Sequence, residues 1–214
     1  MSPSALYSRI LPYVPGCPEP TVDLAVMDAA TEFAEKTQIV FKAESPIALV
    51  EDRSTYYVFP DSAVETDLIT NVFCGDRQLD LVTPTSLHDQ VPGWETAESS
   101  EPTHYSTFGE PGSITVYPKP KNVSGQSLRV FASWVPSFGA TSIPDELGRG
   151  YVRDIVEGAK ARLMMIPERK WTNLQLAAAA QAQFERGIVD ARIKAIHGKA
   201  AGTIVVRPRQ FGSA

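Results

Sequence analysis

The chain has 214 residues, 43% of them hydrophobic, with a mean hydropathy of −0.13 and a formal net charge of −5. That is enough apolar material for one domain or two intimate subdomains, and no run approaches the ~18 residues a membrane span needs. Two cysteines, Cys17 and Cys74, make neither a disulfide framework nor a Cys-x-x-Cys pair, so two free thiols in a reducing compartment are expected.

The first residues, Met1-Ser2-Pro3-Ser4-Ala5-Leu6, lack a basic stretch followed by an apolar one, and no signal peptide is expected. A proline-punctuated lead, Leu11 to Pro20, delivers the chain into an amphipathic helix. Between Thr21 and Thr37 the apolar residues Val22, Val26, Ala29, Ala30 and Phe33 recur at helical period and predict one core-facing stripe. Pro20 suits the first turn, where its missing N–H costs nothing, and Asp23 and Asp28 lie toward the positive end of the helix dipole.

From Gln38 to about Val135 the segments are short, β-branched and aromatic. They predict strands at Ile39–Lys42, Thr55–Phe59, Leu68–Cys74, Gln78–Val82, Ser113–Tyr117 and Ser127–Trp134. Gly75-Asp76 reads as a tight hairpin turn, and residues 119–125 read as another loop. The stretch Thr83–His104 is polar and irregular, which predicts a long surface loop.

Helices return after residue 141. Ser142 is the expected N-cap before Ile143-Pro144-Asp145-Glu146, and Leu147, Tyr151, Ile155, Ala159, Leu163 and Ile166 carry one stripe as far as Pro167. Trp171, expected between the last two helices, leads to a cap at Thr172 or Asn173. The final helix shows Leu176, Ala180, Phe184, Ile188, Ala191 and Ala195, and Gly198 is its expected stop.

The last segment is unlike the rest. Thr203-Ile204-Val205-Val206 is a β-branched run, followed by Arg207-Pro208-Arg209-Gln210-Phe211. It is too short for a sheet of its own. Ile204, Val205, Val206, Arg207, Pro208, Arg209 and Phe211 are therefore the candidate partner-binding residues. Backbone groups would pair with a partner's strand, Phe211 would fill an apolar pocket, and the arginines would meet acids. Charge is also divided: residues 1–141 carry 18 acids and 8 bases, residues 142–214 carry 7 acids and 12 bases. Such asymmetry fits identical subunits packed head to side, or a basic end seated on an acidic partner.

No grouping of residues points to chemistry. His88, His104 and His197 form no His-x-x-x-His or His-Glu-x-x-His pair, so neither a metal site nor a cofactor is expected. The Gly-x-Ser-x-Gly and phosphate-loop patterns are absent. Glu51-Asp52 and Asp145-Glu146 fit turns and caps, and Cys74 has no base beside it in sequence. An acidic chain with pI about 5.3 is not expected to read DNA bases.

Several segments, in this order, resemble the head-to-tail adaptor (connector) proteins of tailed bacteriophages, of the larger, tail-tubular type. They are Leu11 to Pro18 leading into Ala25 to Phe33, the Ile143-Pro144-Asp145 helix start, Gly158-Ala159-Lys160-Ala161-Arg162-Leu163, Trp171-Thr172-Asn173, Phe184 to Arg192, and Arg207 to Phe211. They span nearly the whole length, while the β-region matches only in layout.

The expected fold class is α+β: a helical bundle of one N-terminal and two C-terminal helices (1–38 and 141–200), an inserted antiparallel β-domain (39–140), and an extended C-terminal arm (201–214). The resemblance implies a non-enzymatic virion protein at the head–tail interface, forming a ring, expected to have twelve subunits, that binds the portal protein and a tail nozzle or other tail protein. DNA would pass through it non-specifically, and no membrane is implied. The alternatives are a β-sandwich binding module and a carbohydrate-active enzyme built on the 83–104 segment.

Overall fold

The computed structural model describes residues 1–58, 64–90 and 93–197. It is a mixed α+β fold, with six α-helices and mostly antiparallel strand pairing among these residues. The candidate arm residues from Ile204 to Phe211, and the expected stop at Gly198, lie outside the described residues.

A 3₁₀ turn at Pro3–Leu6, a short helix α1 (Tyr7–Ile10) and a second 3₁₀ turn at Leu11–Tyr13 carry the chain into α2 (Glu19–Thr37). Proline in the first turn of α2 was expected, and so was its core stripe: Val22, Val26, Ala29, Ala30 and Phe33 are all buried. The helix ends on Gln38, whose φ of 52° turns the chain while its N–H bonds Ala34 O at 2.8 Å. That is a left-handed C-cap without the usual glycine.

The β-region is built around one long strand. Its strands are β1 (Phe41–Ala43), β2 (Ile47–Ala48), β3 (Thr55–Tyr57), β4 (Val64–Cys74), β5 (Arg77–Gln78), β6 (Asp80–Leu81), β7 (Glu98–Ser99), β8 (His104–Ser106), β9 (Ser113–Tyr117), β10 (Lys119–Pro120) and β11 (Ser127–Pro136). β11 pairs antiparallel with β4 on one side and with β1 and β2 on the other. A second sheet has the order β3-β9-β8-β6, and β7 and β10 form a small parallel pair. Val130, Ala132 and Trp134 of β11 are buried, and this strand packs against α2. The hydrophobic core is thereby continuous from the helices into the sheets.

Some strand expectations need correction. The segment 78–82 splits at Leu79: Arg77–Gln78 pairs with β4 and Asp80–Leu81 pairs with β8 in the other sheet. Leu79 is buried at that corner, which is where an apolar residue is needed. The segment 83–104 is not one irregular loop, because it holds α3 (Pro84–Gln90), a 3₁₀ turn at Trp94–Thr96, and β7. Thr83 and Ser86 start α3 through reciprocal bonds between side chains and backbone N–H groups, at 3.0 and 3.1 Å.

The C-terminal helices also differ in detail. The stripe from Leu147 to Ile166 is two helices, α4 (Asp145–Gly150) and α5 (Val152–Met165), broken at Tyr151. Pro144, not Ser142, occupies the N-cap of α4, with no side-chain cap bond. The Met1 backbone nitrogen instead donates to Ile143 O at 2.6 Å, Ile143 N–H returns a bond to Met1 O at 2.8 Å, and Met1 packs over Gly148. α6 (Leu174–His197) starts on Asn173, whose Oδ1 accepts the Leu176 N–H at 3.1 Å. Its buried stripe is Ala177, Ala180, Phe184, Ile188 and Ala191, and Leu176 points outward at 50% exposure. Trp171 is only partly buried against the core.

α2, α5 and α6 meet around Phe33. Its ring lies 5.1 Å from Tyr151 and 6.1 Å from Phe184, centroid to centroid. A Cβ on Gly158 would stand 2.7 Å from the Phe184 ring and 3.1 Å from Ala29 Cβ. The absence of a side chain there is what lets the three helices approach.

Candidate interaction surfaces

Three surfaces stand out from an otherwise ordinary exterior. The first is a groove of about 820 Å³ between the outer face of α2 and the 136–141 loop that leaves β11. Pro20, Leu24, Met27, Asp28, Thr31 and Glu35 line one wall. Their spacing places them on one face of α2, opposite its core stripe. Leu24 is 63% exposed, and Phe138 on the loop is fully exposed.

The groove is acidic. Asp23 accepts the Tyr7 hydroxyl at 2.9 Å. Desolvation first, and then that hydrogen bond, push the Tyr7 phenol up to about 12. Glu32 is engaged by Lys36 and by Arg162. Asp28, Glu35 and Glu65 form no ion pair among the described residues.

The second surface is the solvent side of α6. Leu174, Ala178, Ala182, Val189 and Ile193 recur at helical spacing and are all exposed, Val189 at 57% and Ile193 at 51%. Charged residues such as Glu185 and Arg186 share that side. A helix with apolar residues on both its buried and its outer side has one stripe more than its own fold uses.

No protein-family model matches this chain, and no curated protein matches it. The surfaces therefore have to be judged by their own chemistry.

The third surface is an aromatic ladder on the sheet. Phe41 of β1, Phe131 of β11 and Phe73 of β4 succeed one another across three strands, with centroid separations of 6.2 and 5.6 Å. The Arg129 guanidinium lies 5.8 Å from the Phe73 ring centroid. Cross-strand aromatic pairs stabilise a sheet, and Phe41 is still 49% exposed.

Groups able to do covalent chemistry are muted. Cys17 is buried and Cys74 half-buried, and both are free thiols. Desolvation raises both, Cys74 further through the nearby Glu101 charge. A thiol held in its neutral form is a poor nucleophile. The cavity beside Cys74, about 280 Å³, contains Asp76 and Glu101, but Asp76 is fully exposed and pairs with Arg129 at 3.4 Å. His104 Nδ1 lies 2.7 Å from Thr103 Oγ1, and His88 is exposed on α3. Among the described residues no group of three or more His, Cys, Asp or Glu side chains stands close enough to hold a metal ion, and no helix is long and apolar enough to cross a membrane.

Lys160 is a buried cation with a structural explanation. It is 7% exposed, pairs with Glu157 at 2.8 Å and sits 4.0 Å from the centre of the Tyr13 ring. It ties the Leu11–Tyr13 turn to α5.

The sequence pointed to the arm, all of which lies outside the described residues. It did not point to Leu24, Asp28, Glu35, Glu65 and Phe138. The available signal was the second stripe of α2, where Leu24 and Met27 fall off the core phase.

Proposed function

We propose that this protein is a structural adaptor: a self-associating virion component at the head–tail interface, forming a ring between portal and tail around the path of the DNA. In this reading α2, α5 and α6 form the bundle that packs side by side around the ring. Residues 39–140 are an inserted β-domain turned outward or toward the tail, and residues 201–214 are an arm that reaches a neighbouring molecule. Twelve subunits are the number the sequence resemblance implies.

The observation that carries this reading is the apolar outer stripe of α6. Val189 and Ile193, with Leu174 a few turns before, are too exposed to be serving the monomer's core. Burying such side chains against another subunit contributes roughly 1.5–3 kcal/mol each. Two further features agree with it: the unequal charge of the two parts of the chain, which gives identical copies opposite surfaces to present, and the order of the sequence segments that resemble adaptors.

Electron microscopy tests the proposal directly. The purified chain is imaged alone and after mixing with a portal protein of a tailed bacteriophage. Rings of this chain, free or stacked on the portal, are the expected result. Separate monomers at low and moderate salt, with and without the portal, would overturn it.

The aromatic ladder favours a second reading, a monomeric binding module whose sheet face holds a ligand through Phe41, Phe131 and Phe73. It predicts a particle that stays monomeric and loses its ligand on Phe73→Ala.

A further inference from the structure

We infer that the acidic groove between α2 and the 136–141 loop is the seat of residues 203–211 from a second copy of this chain. The inference rests on the self-association reading above and names a contact that would hold neighbours together.

The groove and the segment match in chemistry. The groove offers an apolar floor at Leu24 and Met27, an exposed aromatic wall at Phe138, and the carboxylates Asp28, Glu35 and Glu65, which have no ion-pair partner among the described residues. Residues 203–211 supply Ile204, Val205, Val206 and Phe211 for the apolar part, and Arg207 and Arg209 for the acids; they contain no acid of their own. Arginine guanidinium groups can meet carboxylates in a forked, two-bond geometry, which fixes register as well as sign.

The dimensions match as well. From Pro20 to Glu35 the groove follows α2 for 15 residues, or roughly 22 Å at 1.5 Å per residue. Nine extended residues reach roughly 30 Å. Residues 198–202 connect this segment to α6 at His197, roughly 17 Å of chain when extended, enough to cross to a subunit packed beside α6. The negative part of one copy and the positive part of the next then face each other.

The test keeps the full chain. Phe211 is replaced by p-benzoylphenylalanine, which preserves an aromatic anchor and cross-links on irradiation. This protein is mixed with an excess of unmodified, nitrogen-15-labelled chain, and mass spectrometry locates the cross-linked peptides. The expected products join residue 211 to residues 20–35 or 136–141 of the labelled copy. Reversing the groove with D28K, E35K and E65K should lower their yield at least tenfold, and adding R207E and R209E to the arm should restore it. Cross-links confined to the same copy, or to other surfaces, would overturn the inference, as would a yield indifferent to charge reversal. Mass photometry of the same mixture separates the two readings. Oligomers without the arm–groove product overturn this contact alone. Monomers throughout overturn self-association with it.

Discussion

Gly158 is where a single hydrogen atom sets the spacing of three helices. Alanine is the better helix former by about 1 kcal/mol. Its methyl, however, would enter the Phe184 ring at 2.7 Å and Ala29 at 3.1 Å. Both neighbours are fully buried, so neither moves aside cheaply, and overpacking of this kind costs about 1–3 kcal/mol. Gly158→Ala is expected to destabilise by up to about 2 kcal/mol in urea unfolding; a gain in stability would mean that Phe184 has room to swing away. Asp154 makes a different case. Desolvation, opposed by Arg153 and Lys194, raises its carboxyl above the ordinary carboxylate range, and Gly187 of α6 is pressed against it. The folded state therefore holds this proton more tightly than the unfolded chain, and stability falls as pH rises through the raised value. Asp154→Asn is expected to melt higher than the wild type at pH 7. The difference should fade as pH falls below the ordinary carboxylate range, and thermal melts at both pH values check it.

Among the elements, α6 shows why the sequence was legible only in part. Its buried stripe of Ala177, Ala180, Phe184, Ile188 and Ala191 has the right helical spacing, yet Leu176 looked a better core residue than Ala177. A large apolar side chain reads as core whether its partner lies in the same chain or outside it. The same ambiguity hid the outer stripe of α2, where Leu24 and Met27 sit beside a correctly predicted core face. The break between α4 and α5 was missed because the apolar period runs on through Tyr151; Gly148 and Gly150 were the available signals. Among the described side chains of α3 only Leu87 is buried, and one apolar residue makes no periodic pattern. The outer stripe of α6 gives this scale its prediction. V189D with I193D places two charges on a surface already open to solvent, so the melting temperature should stay within about 4 °C, since surface substitutions of this kind cost within about 0.5 kcal/mol each. Any oligomer that the unmodified chain shows by mass photometry should be lost. Unchanged assembly would move the subunit interface away from α6.

At the scale of the whole molecule, the two halves of the candidate contact were unequally visible. The arm announced itself by composition, because four β-branched residues followed by Arg-Pro-Arg have no use in a helix. The groove is assembled from α2, from Glu65 at the start of β4 and from a loop beyond residue 135, and no linear pattern brings those together. The core bears on what the arm does. Among the described residues it is continuous from Leu6 to Ala191, and α2, α5 and α6 close on one another around Phe33. With the arm seated on a neighbour, as inferred above, deleting residues 203–214 should leave the melting temperature of dilute monomer within about 2 °C of the full chain. Assembly should respond instead. The deleted segment takes two arginines and four large apolar side chains from each neighbour contact, so the concentration needed for oligomers should rise at least tenfold. The full chain's assembly should weaken between low and moderate salt, and that salt dependence should be smaller after deletion, because the screened arginine–carboxylate pairs are gone. Sedimentation at two salt concentrations measures both effects. A truncated chain that melts far lower would place the arm in its own subunit's core, and one that assembles as before would leave α6 as the sole adhesive surface.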